Sequence, residues 1–147
     1  MTDFLSLSGA GTTETVRALR AVTERTQNVG LTLTEGEMAL LAAARQEALA
    51  RTGRVEFGAG VLPDLAFAFC DSPCIERGQF AQTLMELQEL FYYFKNESED
   101  TISDDELIEY MKKAFDGPAQ GSLEYLSGTS LEQLGRIARG GEAWWTE

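Results

Sequence analysis

The sequence contains no histidine. This removes the Ser-His-Asp and Cys-His nucleophilic mechanisms and the zinc sites and iron facial triads that bind through imidazole. Cysteine is scarce, with Cys70 and Cys74 the only two in 147 residues, too few for a disulfide framework. Their C-x-x-x-C spacing is interrupted by Pro73, and no second pair completes a four-ligand metal site. Free cysteine commonly packs as a small buried hydrophobe. A redox pair would need a neighbouring cation to favour the thiolate, and Arg77 is the only such residue close in sequence. Basic residues are few, 12 against 24 acidic ones, for a net charge of −12. A chain of that sign repels phosphate backbones, which argues against a nucleic-acid partner. No apolar run, Leu65 to Cys70 among them, approaches the length of a membrane span. Met1-Thr2-Asp3 opens neither a basic stretch nor the apolar core of a secretory signal. Gly58-Ala59-Gly60 lacks the third glycine and the strand–turn–helix setting of a nucleotide fingerprint, so no cofactor is expected. Together these absences predict a soluble cytoplasmic protein.

What is present is ordinary globular material. Hydrophobic residues make up 44% of the chain, enough for one domain with its own core and no staples. The first eleven residues are polar and rich in Ser and Gly, and are expected to be loose. A helix is predicted over Thr13 to Thr26, with Val16, Leu19 and Thr23 sharing a face with Arg20 and a stop at Asn28 and Gly30. Thr34 and Glu37 form a capping box. The helix it opens should run to Thr52 and end at Gly53, carrying Met38, Leu41, Ala42, Ala48 and Leu49 on one stripe. Residues 53–61 read as a connector. Leu62 to Cys70 alternates like a strand, but Pro63 suits the first helical position and Asp64 the first turn, so a short, fully buried helix is predicted. In Gln79 to Phe94, Phe80, Leu84, Leu87, Phe91 and Phe94 are spaced by four, three, four and three residues, an unbroken core stripe widened by Tyr92 and Tyr93. Ser103 and Glu106 form a second capping box, opening a helix to Phe115 with Glu109 and Lys113 paired on its outer side. Short helices are predicted over Gln120 to Leu126 and from Thr129 to Arg139, and Gly140-Gly141 releases a loose tail with Trp144 and Trp145. The sum is one all-α domain of about six to seven helices.

Several constellations bear on function. Arg45 sits in the middle of an apolar stripe. Either its methylenes pack while the head reaches water, the commoner arrangement, or it is a buried cation paired with an acid or a ligand. Arg54 and Glu56 interrupt the apolar connector, as a structural ion pair or as solvated charges. The acid-rich stretch from Asn96 to Glu109 resembles an EF-hand in layout: Lys95 to Glu106 spans twelve positions, with Ile102 at the eighth and Glu106 at the twelfth. Lys95 stands where the first aspartate ligand belongs and Asp100 where glycine makes the sharp turn. The motif is therefore degenerate, and calcium binding there is the minor alternative to a solvated acidic loop. Trp144 and Trp145 either fold back onto the core or dock on another chain, since tryptophan is a frequent interface anchor.

Five segments carry a family resemblance: Gly53-Arg54-Val55-Glu56-Phe57-Gly58, Phe69-Cys70-Asp71-Ser72-Pro73, Phe91 to Glu97, Ile102 to Ile108, and Gly121 to Leu126. Together, over roughly residues 34 to 139, they resemble a small uncharacterised bacterial domain-of-unknown-function family of anaerobic Firmicutes. The resemblance implies a bacterial cytoplasmic protein and supplies no activity.

The leading expectation is a non-enzymatic interaction or accessory protein whose acidic surface steers a basic partner, or one that joins a sister subunit. The alternative is a small-molecule binder or enzyme with a polar pocket between helices, lined by Arg45, Arg54, Glu56, Asp71, Lys95 and Glu97.

Overall fold

The computed structural model describes residues 2–28 and 30–130, with side chains described from residue 13 to residue 128. Helix α1 (Thr2–Thr26) is followed by α2 (Glu35–Thr52), α3 (Leu62–Phe69), α4 (Phe80–Glu97), α5 (Asp104–Asp116) and the single turn α6 (Leu123–Tyr125). A 3₁₀ turn at Arg77–Gln79 leads into α4, and a π-turn spans Leu126–Ser130. There is no strand among the described residues, so the fold is all-α. No described helix is long and apolar enough to cross a membrane.

Both capping boxes form. The Thr34 hydroxyl accepts from the Glu37 amide, and the Glu37 carboxylate accepts from the Thr34 amide; Ser103 and Glu106 repeat the exchange. Gly53 closes α2 in the left-handed conformation, φ 70°, where a Cβ would be disfavoured. Helix α4 buries its whole predicted stripe together with Tyr92, while Tyr93 is exposed. It packs against α2, α3 and α5, and α1 packs against α2 and α3. The shared core includes Leu19, Leu41, Leu62, Phe69, Leu84, Phe91, Met111 and Phe115.

Four local expectations are corrected. The helix expected from Thr13 begins at Thr2. Extending a formed helix fixes one residue per hydrogen bond gained, and no proline stands upstream to stop it. The inward face of α1 is centred on Thr15, Leu19, Val22 and Thr26; Val16 packs at its edge, Thr23 is half-buried and Arg20 is exposed. Two threonines on that face hide the apolar period. Helix α3 is not fully buried, because Phe67 is half-exposed beneath the Arg25 guanidinium, 4.8 Å from its ring centre. The helix expected from Gln120 shrinks to Leu123–Tyr125, since Gln120 takes a positive φ of 48° and Ser122 caps the turn from its own hydroxyl. The helix expected through Arg139 and the segment with Trp144 and Trp145 lie outside the described residues.

Candidate functional site

Arg45 is the buried-cation case: its residue is only 2% exposed. Placed mid-stripe on α2, it points at Glu56 in the 53–61 connector and at Thr15 on α1. Its Nε donates to Glu56 Oε1 at 2.9 Å and its Nη1 to the Thr15 hydroxyl at 3.0 Å. The Tyr92 hydroxyl, from α4, donates to the same Glu56 oxygen at 2.6 Å. Glu56 Oε2 accepts from the Val61 amide at 3.3 Å. Burial, and then the Glu56 carboxylate, push the Tyr92 phenol far above its ordinary pKa, so it stays a donor. Gly60 takes a φ of 70°, and a Cβ there would lie 2.1 Å from Glu56 Oε1 and 2.7 Å from Arg45 Nη2. The backbone thus closes directly over the pair, and only glycine permits the approach.

The consequence lies on the outer side of this clamp. Val55 is 78% exposed and Phe57 90% exposed. An extended segment alternates its side chains, so fixing Glu56 inward turns its two apolar neighbours out. Gly58 brings the loop close to Glu14 of α1, whose carboxylate would lie 3.4 Å from a Cβ at that position. Arg54, at the other end, donates to Asp100 Oδ1 at 2.7 Å and to Asn96 Oδ1 at 2.6 Å.

Arg54 and Glu56 therefore do not pair with each other, as an adjacent couple would suggest. Each is claimed by a residue distant in sequence.

The helix–loop–helix at α4 and α5 holds a second cluster. Lys95 is 6% exposed. Its ammonium donates to the Ile102 carbonyl at 2.6 Å and pairs with Asp104 at 2.9 Å and Asp100 at 3.9 Å. The chain's own cation neutralises the loop, where an EF-hand would use calcium. Glu106 is engaged in the Ser103 capping box. Asp100 holds a left-handed φ of 59°, the conformation that glycine supplies in the motif and that aspartate tolerates. Arg54 beside it holds its carboxyl below the usual range. No group of three His, Cys, Asp or Glu side chains suited to a metal is found among the described residues.

Asp71 lies apart from both clusters, paired with Lys112 at 2.9 Å. Lys112 also meets Asp116 at 3.1 Å. These hydrogen bonds raise its pKa although burial works against its charge. Asp116 in turn accepts from the Ser72 hydroxyl at 2.6 Å. Cys70 and Cys74 are free thiols. Burial, and then Asp71, push the Cys70 thiol up, which disfavours the nucleophilic thiolate. Glu97 is half-buried near the end of α4.

The six residues singled out in the sequence thus do not line one pocket. Arg45 and Glu56 form one site, Arg54 and Lys95 share Asp100 in another, and Asp71 stands in a third. Sequence reasoning missed Thr15, the polar role of Tyr92, and Gln88. Gln88 is fully buried on α4, one turn before Tyr92, and neither of its amide atoms finds a hydrogen-bond partner.

The model of a family of unknown function covers residues 18–143. No curated protein matches the chain, and no solved structure does.

Proposed function

The chain belongs to DUF6323, a family of unknown function, so its role must be read from its own residues, and we propose that it is a non-enzymatic protein-interaction module. Its anchor is the loop at residues 54–60. It works in the bacterial cytoplasm that the sequence resemblance implies, and its partner is a protein with a basic surface around an apolar pocket. The observation that carries this reading is Phe57, 90% exposed on a loop whose next residue inward is locked by a buried ion pair. An aromatic side chain held in water is an interface anchor in waiting, and holding it rigid removes part of the ordering cost of association.

Charge selects the sign of the partner. The chain carries −12 overall. Of its cations, Arg20, Arg45, Arg51, Arg54, Lys95, Lys112 and Lys113 already engage acids within the fold. Exposed Glu47, Glu86 and Glu99 have no ion-pair partner among the described residues. Such a surface accelerates encounter with a basic protein and opposes self-association. A polar inter-helix pocket is less favoured, because its proposed lining is divided among three places.

The test is photo-crosslinking from position 57 in the native host, followed by titration of the purified pair. The expected result is one Lys- and Arg-rich protein. Its affinity should fall roughly 30-fold or more on Phe57→Ala, the size of a hot-spot loss near 2 kcal/mol, and should weaken with added salt. Equal binding by Phe57→Ala, or a crosslink only to a second copy of the chain, overturns the proposal.

A further inference from the structure

An interface made by Phe57 alone is too small. Specific complexes bury roughly 800 Å² on each partner, several times the area of one aromatic side chain. The rest of the contact must come from surface continuous with the loop. We propose that it comes from the outer face of the α2–α4 pair, with Tyr93 as a second anchor and Glu47 and Glu86 meeting the partner's cations. This rests on the Phe57 reading and extends it. The partner is a Lys- and Arg-rich protein face about 20 Å long, with apolar pockets for Phe57 and Tyr93.

Three observations support it. The first is continuity. Arg54, at the start of the loop, donates to Asn96 of α4 at 2.6 Å, and Asn96 Nδ2 donates to the Thr52 carbonyl at the end of α2 at 2.9 Å. Earlier on α4, Glu89 pairs with Arg51 of α2 at 2.5 Å. Tyr93 stands four residues after Glu89 and three before Asn96, so it shares their side of the helix. The side of α4 that holds the loop therefore also carries Tyr93. The second is exposure. Gln82, Glu86, Glu89, Tyr93 and Asn96 follow one another by four, three, four and three residues and are all exposed, a solvent stripe roughly 21 Å long. Tyr93 is its one aromatic, 53% exposed. Its ring meets Phe94 edge-on, with centres 5.0 Å apart, which steadies it. Tyrosine supplies flat contact area with a polar tip, which suits an interface. The third is charge. The facing positions on α2 are Ala44, Glu47 and Arg51, so these two stripes hold one cation, Arg51, and Glu89 cancels it. Glu47 and Glu86 have no ion-pair partner among the described residues. After internal pairing the face is acidic, and a basic surface complements it.

The test places a photo-crosslinking residue at position 93 of the full chain in the native host and, in a separate sample, at position 57. The expected result is the same Lys- and Arg-rich protein from both. With that protein purified, Tyr93→Ala should weaken binding roughly tenfold, a moderate hot-spot loss. The double variant Glu47→Gln, Glu86→Gln should associate several-fold more slowly, with a flatter dependence on salt. Far-UV circular dichroism should stay unchanged in both. Since the two glutamates are exposed, the double variant keeps the test valid if Tyr93→Ala disturbs folding. Capture from position 57 but not from position 93 overturns this proposal and leaves the Phe57 reading standing. Unchanged binding by a folded Tyr93→Ala, or unchanged association by the double variant, does the same. Capture from position 93 alone, or from neither position, overturns both.

Discussion

Replacing Glu56 by glutamine should destabilise the protein by about 3 kcal/mol, the lower end of the 3–5 kcal/mol expected when a buried ion loses its partner. The substitution keeps shape and leaves an oxygen for the Tyr92 hydroxyl, but it removes the only carboxylate paired with the Arg45 guanidinium among the described residues. Arg45 is then a charge at 2% exposure with the Thr15 hydroxyl as its remaining hydrogen-bond partner. The lower end applies because the Glu56 side chain itself is 15% exposed, so water already screens part of the interaction. At roughly 2–4 °C per kcal/mol for a chain of this size, the melting temperature should fall by roughly 6–12 °C.

The diagnostic comparison is the double variant Arg45→Met, Glu56→Gln. It contains neither charge, and methionine refills the apolar stripe. If the damage in Glu56→Gln comes from a stranded cation, the double variant should be more stable than that single variant by about 1–2 kcal/mol, because removing both members of a buried pair is far milder than removing one. Urea denaturation followed by circular dichroism, with one slope for all variants, measures it. A loss below about 1 kcal/mol in Glu56→Gln, or a double variant as unstable as the two singles summed, would refute the reasoning.

Three further outcomes follow from the same geometry. Gly60→Ala should be among the most damaging small substitutions, because its Cβ meets Glu56 Oε1 at 2.1 Å in a left-handed backbone; thermal melting should show a larger loss than Gly36→Ala, where nothing lies within 4 Å. Asp100→Asn should be less stable than the unmodified protein at neutral pH, with a gap that narrows in high salt and closes in acid. The Asp100 carboxyl is held low by Arg54, so its contribution is present above the unfolded pKa near 3.9 and vanishes as pH falls through the folded value; a gap that persists in acid contradicts the assignment. Gln88→Leu should raise stability by about 1 kcal/mol in urea, since both buried amide atoms lack partners and apolar replacement removes that penalty.

What can be read from the chain alone follows the range of the interaction. The capping boxes at Thr34–Glu37 and Ser103–Glu106 close within three residues, and both form as the sequence pattern predicts. The α4 stripe repeats at helical spacing and is buried throughout. In α1 the same rule misplaces the face, because Thr15 and Thr26 point inward and a hydroxyl counts as polar in any periodicity. Thr15 is buried because it hydrogen-bonds Arg45, thirty residues away, and no local pattern records that. For α3, proline and aspartate at the first turn identify the helix correctly, but the half-exposed Phe67 is met by Arg25 from another helix, a contact that no local pattern records.

The candidate site obeys the same limit more severely. Arg54 and Glu56 are two residues apart, and an ion pair between them is the natural local reading. In an extended connector, positions two apart share a side of the backbone, so proximity alone favours it. The deciding fact is that other cations and acids lie closer in space: Arg45 reaches Glu56 across 11 residues and Asp100 reaches Arg54 across 46. Each pairing then sets something the sequence presents as unrelated. The Glu56 pairing turns Phe57 outward, and the Arg54 pairing steadies the left-handed Asp100 in the loop that Lys95 neutralises. The two charges that interrupt an apolar connector are thus what fixes it, Arg54 to the C-terminal end of α4 and the loop after it, and Glu56 to Arg45 of α2 and Tyr92 of α4. Exposure of Phe57, the aromatic next to Glu56, follows from that attachment, which is why a residue that would ordinarily seek the core stands in water instead.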